Sequence, residues 1–165
     1  TTIDHNTVIK ENTVIGDNVI IGSNNTIGGA GYGYEKNEKG QFEFIPHLGN
    51  VVIGDFVEIG NNTCIDRAVL GSTLLEENVK VDNLVHIAHG VRAGVNSMII
   101  ANSMIAGSVK IGANAWIAPS ASVLNQKTIG DNALVGMGAV VLKDVPEGKI
   151  FIGNPARDLK DRTKK

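Results

Sequence analysis

The chain has 165 residues, the length of a single domain, and its 15 Lys and Arg residues nearly balance its 17 Asp and Glu residues, giving a formal net charge of −2. This balance gives no electrostatic reason to expect nucleic acid as a partner, and no apolar run approaches the roughly 20 residues that cross a bilayer. A single Cys excludes an internal disulfide and fits a reducing compartment. Because the N-terminus lacks a basic segment followed by an apolar one, we expect a cytoplasmic protein without a membrane span.

An aliphatic residue recurs at every sixth position through most of the chain. The first series lies within residues 1–28, a second within 53–70, and a third within 75–146, where twelve hexads follow one another without a slip. The positions are Ile3, Ile9, Ile15, Ile21, Ile27, Ile53, Ile59, Ile65, Leu75, Val81, Ile87, Ala93, Ile99, Ile105, Ile111, Ile117, Val123, Ile129, Val135 and Val141. The first hexads begin in mid-pattern, so the chain is either a piece of a longer protein or starts directly with the repeat.

A period of six matches neither the 3.6 residues of a helical turn nor the alternation of a strand, and a fixed period indicates a repeat architecture. Each hexad fits a short extended segment followed by a corner, with the aliphatic residue pointing into a narrow core. Gly or Asn then takes the corner dihedrals that branched side chains avoid. Stacked coils would pair as parallel strands spaced roughly 4.8 Å apart. We therefore predict an all-β solenoid domain over residues 1–146.

Two segments interrupt the repeat. Residues 29–50 contain both tyrosines and two of the four phenylalanines, with Pro46 and His47 near the end of the segment. An unrepeated excursion of this length is usually functional, and we expect it to pack on a neighbouring subunit or to wall a pocket. Four further residues, 71–74, precede Leu75. Insertions in a solenoid lie at its corners, so both segments are expected to flank one groove.

The repeat ends after Pro146, and we assign residues 147–165 to a C-terminal turn and a basic tail. The segment contains Gly-Asn-Pro at 153–155 and then a short polar stretch that we predict to be helical. From Arg157 to Lys165 there are five basic and two acidic residues. This stretch is either a solvated terminus or a patch that faces an anion.

The motif with the most chemical content is His86-Ile87-Ala88-His89. Because Ile87 holds the core position of its hexad, His89 is expected at a corner, with its ring free to leave the coil. On the residues alone, a pair of surface histidines is more often incidental than catalytic. No Cys-x-x-Cys motif, phosphate-binding loop or dinucleotide fingerprint accompanies the pair.

With its hexads and this motif, the chain resembles the hexapeptide-repeat acyltransferases. That resemblance implies a left-handed parallel β-helix with three hexads per coil, a handedness that the period alone does not give. The His-x-x-His pattern resembles that of the lipid A acyltransferases. It implies that the second histidine, His89, is the general base and that the first, His86, supports substrate binding.

Acyl transfer from a thioester requires such a base, because the attacking amine or hydroxyl must lose a proton. An imidazole with a pKa near 6.5 can accept that proton at neutral pH. The tetrahedral oxyanion needs a hydrogen-bond donor, which in this fold is expected from a backbone N–H near a Gly one coil away. Gly107 lies eighteen residues after His89, one coil on if three hexads make a coil. We therefore predict the Gly107 N–H as the donor.

Residues 29–90 also resemble the UDP-3-O-acylglucosamine N-acyltransferase of lipid A synthesis. The Asp of Ile-Gly-Asp contacts the sugar in the O-acylating relatives, which implies a substrate-binding role for Asp55. The alternative is ordinary corner sequence, since Gly-Asp recurs at 16–17 and 130–131. Asp82 precedes His89 by seven residues and is a candidate to orient it.

The ending Ile152-Gly153-Asn154-Pro155-Ala156-Arg157 is instead similar to that of acetyl-CoA-dependent sugar acetyltransferases. In those enzymes the final turn borders the CoA arm, and nearby Lys or Arg side chains meet its phosphates. This similarity implies acetyl-CoA as co-substrate rather than a long acyl group on acyl carrier protein. The expected CoA-binding residues are Asn154, Pro155, Arg157 and Lys160.

The leading hypothesis is a homotrimeric acyl-CoA-dependent acyltransferase that acts on the amino or hydroxyl group of a nucleotide-linked sugar, with no bound metal. A first alternative is a lipid A-type N-acyltransferase that uses acyl carrier protein. A second is a zinc-dependent carbonic anhydrase on the same fold, although its ligand pair is spaced by five residues and His86 and His89 by three. A third is a non-catalytic scaffold or ice-binding solenoid, in which regular Thr ladders would be expected; the irregular loop and the basic tail argue against it.

Overall fold

The computed structural model describes residues 1–162, in which nearly every hexad contributes one short strand. The first strands are Thr2–Ile3 (β1), Val8–Ile9 (β2), Val14–Ile15 (β3), Ile20–Ile21 (β4), Thr26–Gly29 (β5), Tyr34–Lys36 (β6), Phe42–Phe44 (β7) and Asn50–Ile53 (β8). The next are Glu58–Ile59 (β9), Cys64–Asp66 (β10), Ser72–Leu75 (β11), Lys80–Val81 (β12), His86–Ile87 (β13), Arg92–Ala93 (β14), Met98–Ile99 (β15) and Met104–Ile105 (β16). The last are Lys110–Ile111 (β17), Trp116–Ile117 (β18), Ser122–Val123 (β19), Thr128–Ile129 (β20), Leu134–Val135 (β21), Val140–Val141 (β22), Ile150–Ile152 (β23) and Arg157–Asp158 (β24), followed by the helix Leu159–Arg162 (α1).

The strands stack into three parallel sheets that form the sides of a prism. The first sheet has the order β1-β4-β9-β12-β15-β18-β21-β23-β24, the second β2-β5-β10-β13-β16-β19-β22 and the third β20-β17-β14-β11-β8-β3. From Leu75 to Val141 the register advances by eighteen residues per coil, as in the pairing of Ile87 with Ile105. Three hexads therefore make one coil, as predicted.

Both insertions appear as longer steps in this register. Ile65 pairs with Ile87 across a step of 22 residues, since 71–74 adds four residues to the eighteen. Ile27 pairs with Ile65 across a step of 38 residues, because the segment after β5 adds twenty. That segment forms an antiparallel hairpin of β6 and β7, with Tyr34 opposite Phe44. The predicted loop is confirmed, and each insertion leaves the stacking of the coils intact.

The core is a column of aliphatic side chains along the prism axis. The first residues of the hexads from Ile21 to Val141 are buried, many of them completely, as at Ile87 and Ile117. The corners turn through residues with positive φ, most often Asn, as at Asn96 with φ of 60°. Asn tolerates this left-handed conformation, so its recurrence has a backbone reason.

The described C-terminal end extends the first sheet. β23 pairs in parallel with β21, so the first sheet continues beyond Pro146, and β24 returns antiparallel to β23. The short helix predicted for the tail corresponds to α1. Residues 163–165 of the predicted basic patch lie outside the described residues. Among the described residues, no helix has the length and apolar character needed to cross a bilayer.

Candidate active site

The candidate site lies at the corner between the second and third sheets. His89 follows β13 and Gly107 follows β16, and the eighteen-residue register stacks the two positions directly. Continuing by the same step, Asn125 and Lys143 lie on the next two coils. A cleft of about 340 Å³ opens at this corner, with Tyr32, Asp66, His86, His89 and Gly107 in its wall.

Gly107 makes room for the His89 ring. A Cβ built on Gly107 would stand 2.7 Å from both Nε2 and Cε1 of His89, a distance that real Cβ atoms do not reach. The Gly107 carbonyl accepts a hydrogen bond from the Gln126 N–H (2.9 Å). Its own N–H donates to no atom of the described residues. The His89 imidazole therefore lies over Gly107, whose backbone N–H is available to donate a hydrogen bond to a ligand.

Asp66 is a residue of this cleft that the sequence reasoning missed. The 22-residue register places the end of β10 beneath the end of β13, and Asp66 Oδ2 lies 3.7 Å from Nε2 of His86. Burial raises the pKa of the Asp66 carboxyl above its ordinary value, while the neighbouring His86, His89 and His47 act in the opposite direction. Adding the four inserted residues to the eighteen-residue coil would have placed Asp66 at this corner.

His47 is the second residue that was missed. The hairpin segment folds back so that its imidazole, 7% exposed, meets the His89 ring edge-on at 5.2 Å between centroids. The other side of the His47 ring stacks on Phe44 at 5.6 Å. The sequence signal was its position at the end of the unrepeated segment. That segment does wall the cleft, through Tyr32.

The surroundings keep the His89 imidazole neutral. Partial burial lowers its pKa below 6.5, and the charge of His47 lowers it further, against the opposing effect of Asp66. A histidine with a lowered pKa is uncharged at pH 7 and can accept a proton. The corner thus combines a neutral base, a backbone donor and an open cleft.

Asp55 and Asp82 lie at the other two corners of the three-sided coil. Asp55 follows β8, where its Oδ1 accepts a hydrogen bond from the Asp17 N–H (2.7 Å). Asp82 follows β12, where its carboxylate accepts from the N–H groups of Asn83 (2.7 Å) and Ala101 (3.2 Å). The expectation that Asp82 orients His89 within one chain is therefore not supported, because the corner before β13 is not the corner after it. Asp66 is the carboxylate that lies in the wall of the cleft beside His89.

The expected CoA-binding residues separate into two groups. Pro155 and Arg157 line a second cleft of about 390 Å³, together with Leu142 and Lys143. Asn154 is exposed and precedes Pro155 through a cis peptide bond, and Lys160, also exposed, donates its backbone N–H to Asp158 Oδ1 (2.8 Å). Lys143 lies three coils from His89, about 14 Å at the usual strand spacing. Both clefts therefore open along the same stacked corner.

The described residues contain no group of three or more His, Cys, Asp and Glu side chains arranged to hold a metal ion. Although His47, His86, His89 and Asp66 are neighbours, they do not converge on one point at coordination distance. The geometry within one chain gives no support to the zinc-dependent alternative.

Comparison with known proteins agrees with this description. Residues 1–29 match the family model described as Bacterial transferase hexapeptide (six repeats). UDP-3-O-acylglucosamine N-acyltransferase of Caulobacter vibrioides (strain NA1000 / CB15N) is 53% identical over 133 residues, 81% of this chain and 39% of that protein. UDP-3-O-acylglucosamine N-acyltransferase 2 of Legionella pneumophila (strain Paris) is 46% identical over 134 residues, with the same coverage of 81% and 39%. The chain thus spans about two fifths of the length of these relatives.

Solved structures share the fold at low sequence identity. The UDP-N-acetylglucosamine acyltransferase from Campylobacter jejuni superposes with a TM-score of 0.74 at 18% identity, covering 94% of this chain and 66% of the other. PerB from Caulobacter crescentus, in complex with CoA and GDP-perosamine, gives a TM-score of 0.52 at 20% identity and coverages of 94% and 57%. The repeat, the fold and these similarities identify the chain as a hexapeptide-repeat protein with a left-handed parallel β-helix, similar in sequence to the UDP-3-O-acylglucosamine N-acyltransferases over 81% of its length.

Proposed function

We propose that this chain carries the catalytic corner of an acyltransferase, which moves an acetyl or other short acyl group from a thioester to an amino or hydroxyl group of a nucleotide-linked sugar. The observation that carries the proposal is the half-buried His89 imidazole, lying over Gly107 in an open cleft with its pKa lowered. The names of the relatives at 46–53% identity support the acyl-transfer reaction and the sugar nucleotide as acceptor.

In the proposed reaction, the acceptor nitrogen or oxygen attacks the thioester carbonyl while His89 takes its proton. The new C–N or C–O bond gives a tetrahedral oxyanion, to which the Gly107 N–H donates. When the C–S bond breaks, the imidazolium returns the proton to the departing thiolate. General-base assistance is typically worth about 10²–10⁴-fold and one oxyanion donor about 10²–10³-fold. His86, held near Asp66, would contact the acceptor.

Acetyl-CoA is the proposed donor, which places the reaction in the cytoplasm. Lys143 and Arg157 supply cationic groups at the second cleft for the CoA phosphates, and an extended pantetheine chain is long enough to run down the corner to His89. The CoA bound to PerB supports this choice. The second candidate, an N-acyltransferase that uses a longer acyl chain on acyl carrier protein, is favoured by the sequence identity to the UDP-3-O-acylglucosamine N-acyltransferases.

We further propose a homotrimer in which this corner meets a neighbouring copy. Prisms with flat sheet faces bury more surface when they pack around a three-fold axis, and clefts between subunits are common substrate sites. Asp55 lies at a different corner of its own chain from His89. In such an assembly, Asp55 would contact the sugar bound at the His89 corner of a neighbouring copy.

The test is a thiol-release assay with purified protein and UDP-linked amino sugars. Acetyl-CoA, a long-chain acyl-CoA and an acyl carrier protein thioester are compared as donors. We expect turnover with acetyl-CoA and a loss of about 10²–10⁴-fold in the His89→Gln variant. Turnover with acyl carrier protein alone would favour the second candidate. Full activity of His89→Gln would remove His89 as the base.

A further inference from the structure

His47 makes contacts that simple packing of the hairpin segment does not explain. Its Nδ1 lies 2.8 Å from the carbonyl oxygen of Ile45. A carbonyl only accepts, so Nδ1 is the protonated nitrogen of the neutral ring and Nε2 carries the lone pair. This Nε2 is buried without a hydrogen-bond partner among the described residues. Buried polar atoms are nearly always paired, so an unpaired one calls for an explanation.

The backbone of the same segment fixes the ring in place. A Cβ on Gly31 would stand 2.7 Å from Nε2 of His47, and a Cβ on Gly33 would stand 2.9 Å from its Cε1. Phe44 stacks on one side, and the edge of the His89 ring meets it at an interplanar angle of 75°. The imidazole is therefore held against His89 at the expense of one unpaired nitrogen.

We propose that His47 is a positioning residue for the acyl transfer, which covers one edge of the His89 imidazole and opposes a positive charge on that ring. This inference rests on the proposed function of the corner. Two imidazolium ions in contact repel one another, so a positive charge at His47 disfavours protonation of His89.

The other groups that face His89 do not provide this effect. Asp66, from β10, favours the protonated form of His89, because a carboxylate attracts the imidazolium. His86, from β13, lies near Asp66, and Tyr32 contributes a phenol to the cleft wall. Without His47, Asp66 would be the main charged neighbour and would favour protonation of His89 against the effect of burial. Removing His47 would therefore raise the pKa of His89.

The test is an NMR titration of the histidine side chains in the whole chain, with signals assigned from single His→Gln variants. Two substitutions are compared: His47→Gln, whose amide can still donate to the Ile45 carbonyl, and His47→Phe, which keeps the ring stack on Phe44. We expect the pKa of His89 to rise in both, because each substitution removes the charge of His47. The control is His5→Gln, since His5 is exposed near the N-terminus, and we expect it to leave His89 unchanged. A pKa of His89 that stays constant or falls in both His47 variants overturns the inference.

The acid limb of kcat/KM provides the functional readout. It should shift upward with the pKa of His89 in both variants. Acyl transfer with an unshifted His89 would refute the role of His47 and leave the proposed function standing. A shifted His89 in a chain that transfers no acyl group would refute the proposed function, and the positioning role would fall with it.

Discussion

Gly107, which has no side chain, leaves the space in which the His89 ring lies. The His89 ring occupies the space that a Cβ would need, 2.7 Å from two of its atoms. We expect Gly107→Ala to displace the ring and to lower kcat/KM by about 10²-fold, the usual cost of misplacing a catalytic group by about 1 Å.

Steady-state kinetics and thermal unfolding check this expectation. The matched control is Gly138→Ala, where the added Cβ meets open space although φ is 64°. In the Gly138→Ala control the new side chain strains the backbone but touches nothing, whereas in Gly107→Ala it clashes with His89. Only Gly107→Ala should therefore lose activity. Equal activity losses in the two variants would contradict the geometric role of Gly107.

The pH dependence of activity follows from the charges around His89. Because burial and His47 lower its pKa, the acid limb of kcat/KM should have its midpoint below pH 6.5. Asp66 favours the imidazolium, so Asp66→Asn should move the midpoint to lower pH. A pH profile of the two proteins measures the shift, and a midpoint that moves upward would show that the carboxylate acts on some other group.

At the scale of the structural element, each corner needs a residue with positive φ, which is unfavourable for most side chains. Most of these positions are occupied by Asn, which tolerates this conformation. Leu84 has φ of 59° and its side chain is 60% exposed, whereas Asn62 adopts φ of 56° at the preceding coil's corner. A left-handed residue other than Gly or Asn costs roughly 1–2 kcal/mol. Leu84 therefore has a strained backbone, and its side chain is not part of the hydrophobic core of the described residues.

The reciprocal pair Leu84→Asn and Asn62→Leu tests this account. We expect the first to raise the free energy of unfolding by about 1 kcal/mol and the second to lower it by a similar amount. Urea denaturation at several protein concentrations measures both values. A loss of stability in Leu84→Asn that depends on concentration would show that Leu84 packs against a second copy instead.

For the whole molecule, the repeat made the fold predictable, because a strict period of six leaves few ways to bury its aliphatic residues. The pairing of Ile87 with Ile105 and the stacking of Gly107 on His89 follow from that period. Asp66 was hidden because the insertion at 71–74 changes the step from eighteen to 22 residues. The position of His47 beside His89 depends on how the unrepeated hairpin segment folds back, and the six-residue period does not predict that fold. The expectation that Asp82 orients His89 relied on their closeness in sequence. The two residues lie at different corners of the same coil, because Asp82 precedes β13 and His89 follows it.

The constant rise of the coils makes the corner a molecular ruler. If the thioester donor is anchored at Lys143 and reacts at His89, the number of intervening coils sets the length of arm that fits. Excising eighteen consecutive residues between them would preserve every strand pairing and shorten the span by about 4.8 Å. Related solenoids could thus change their preferred donor by gaining or losing whole coils, without altering a single residue of the chemistry.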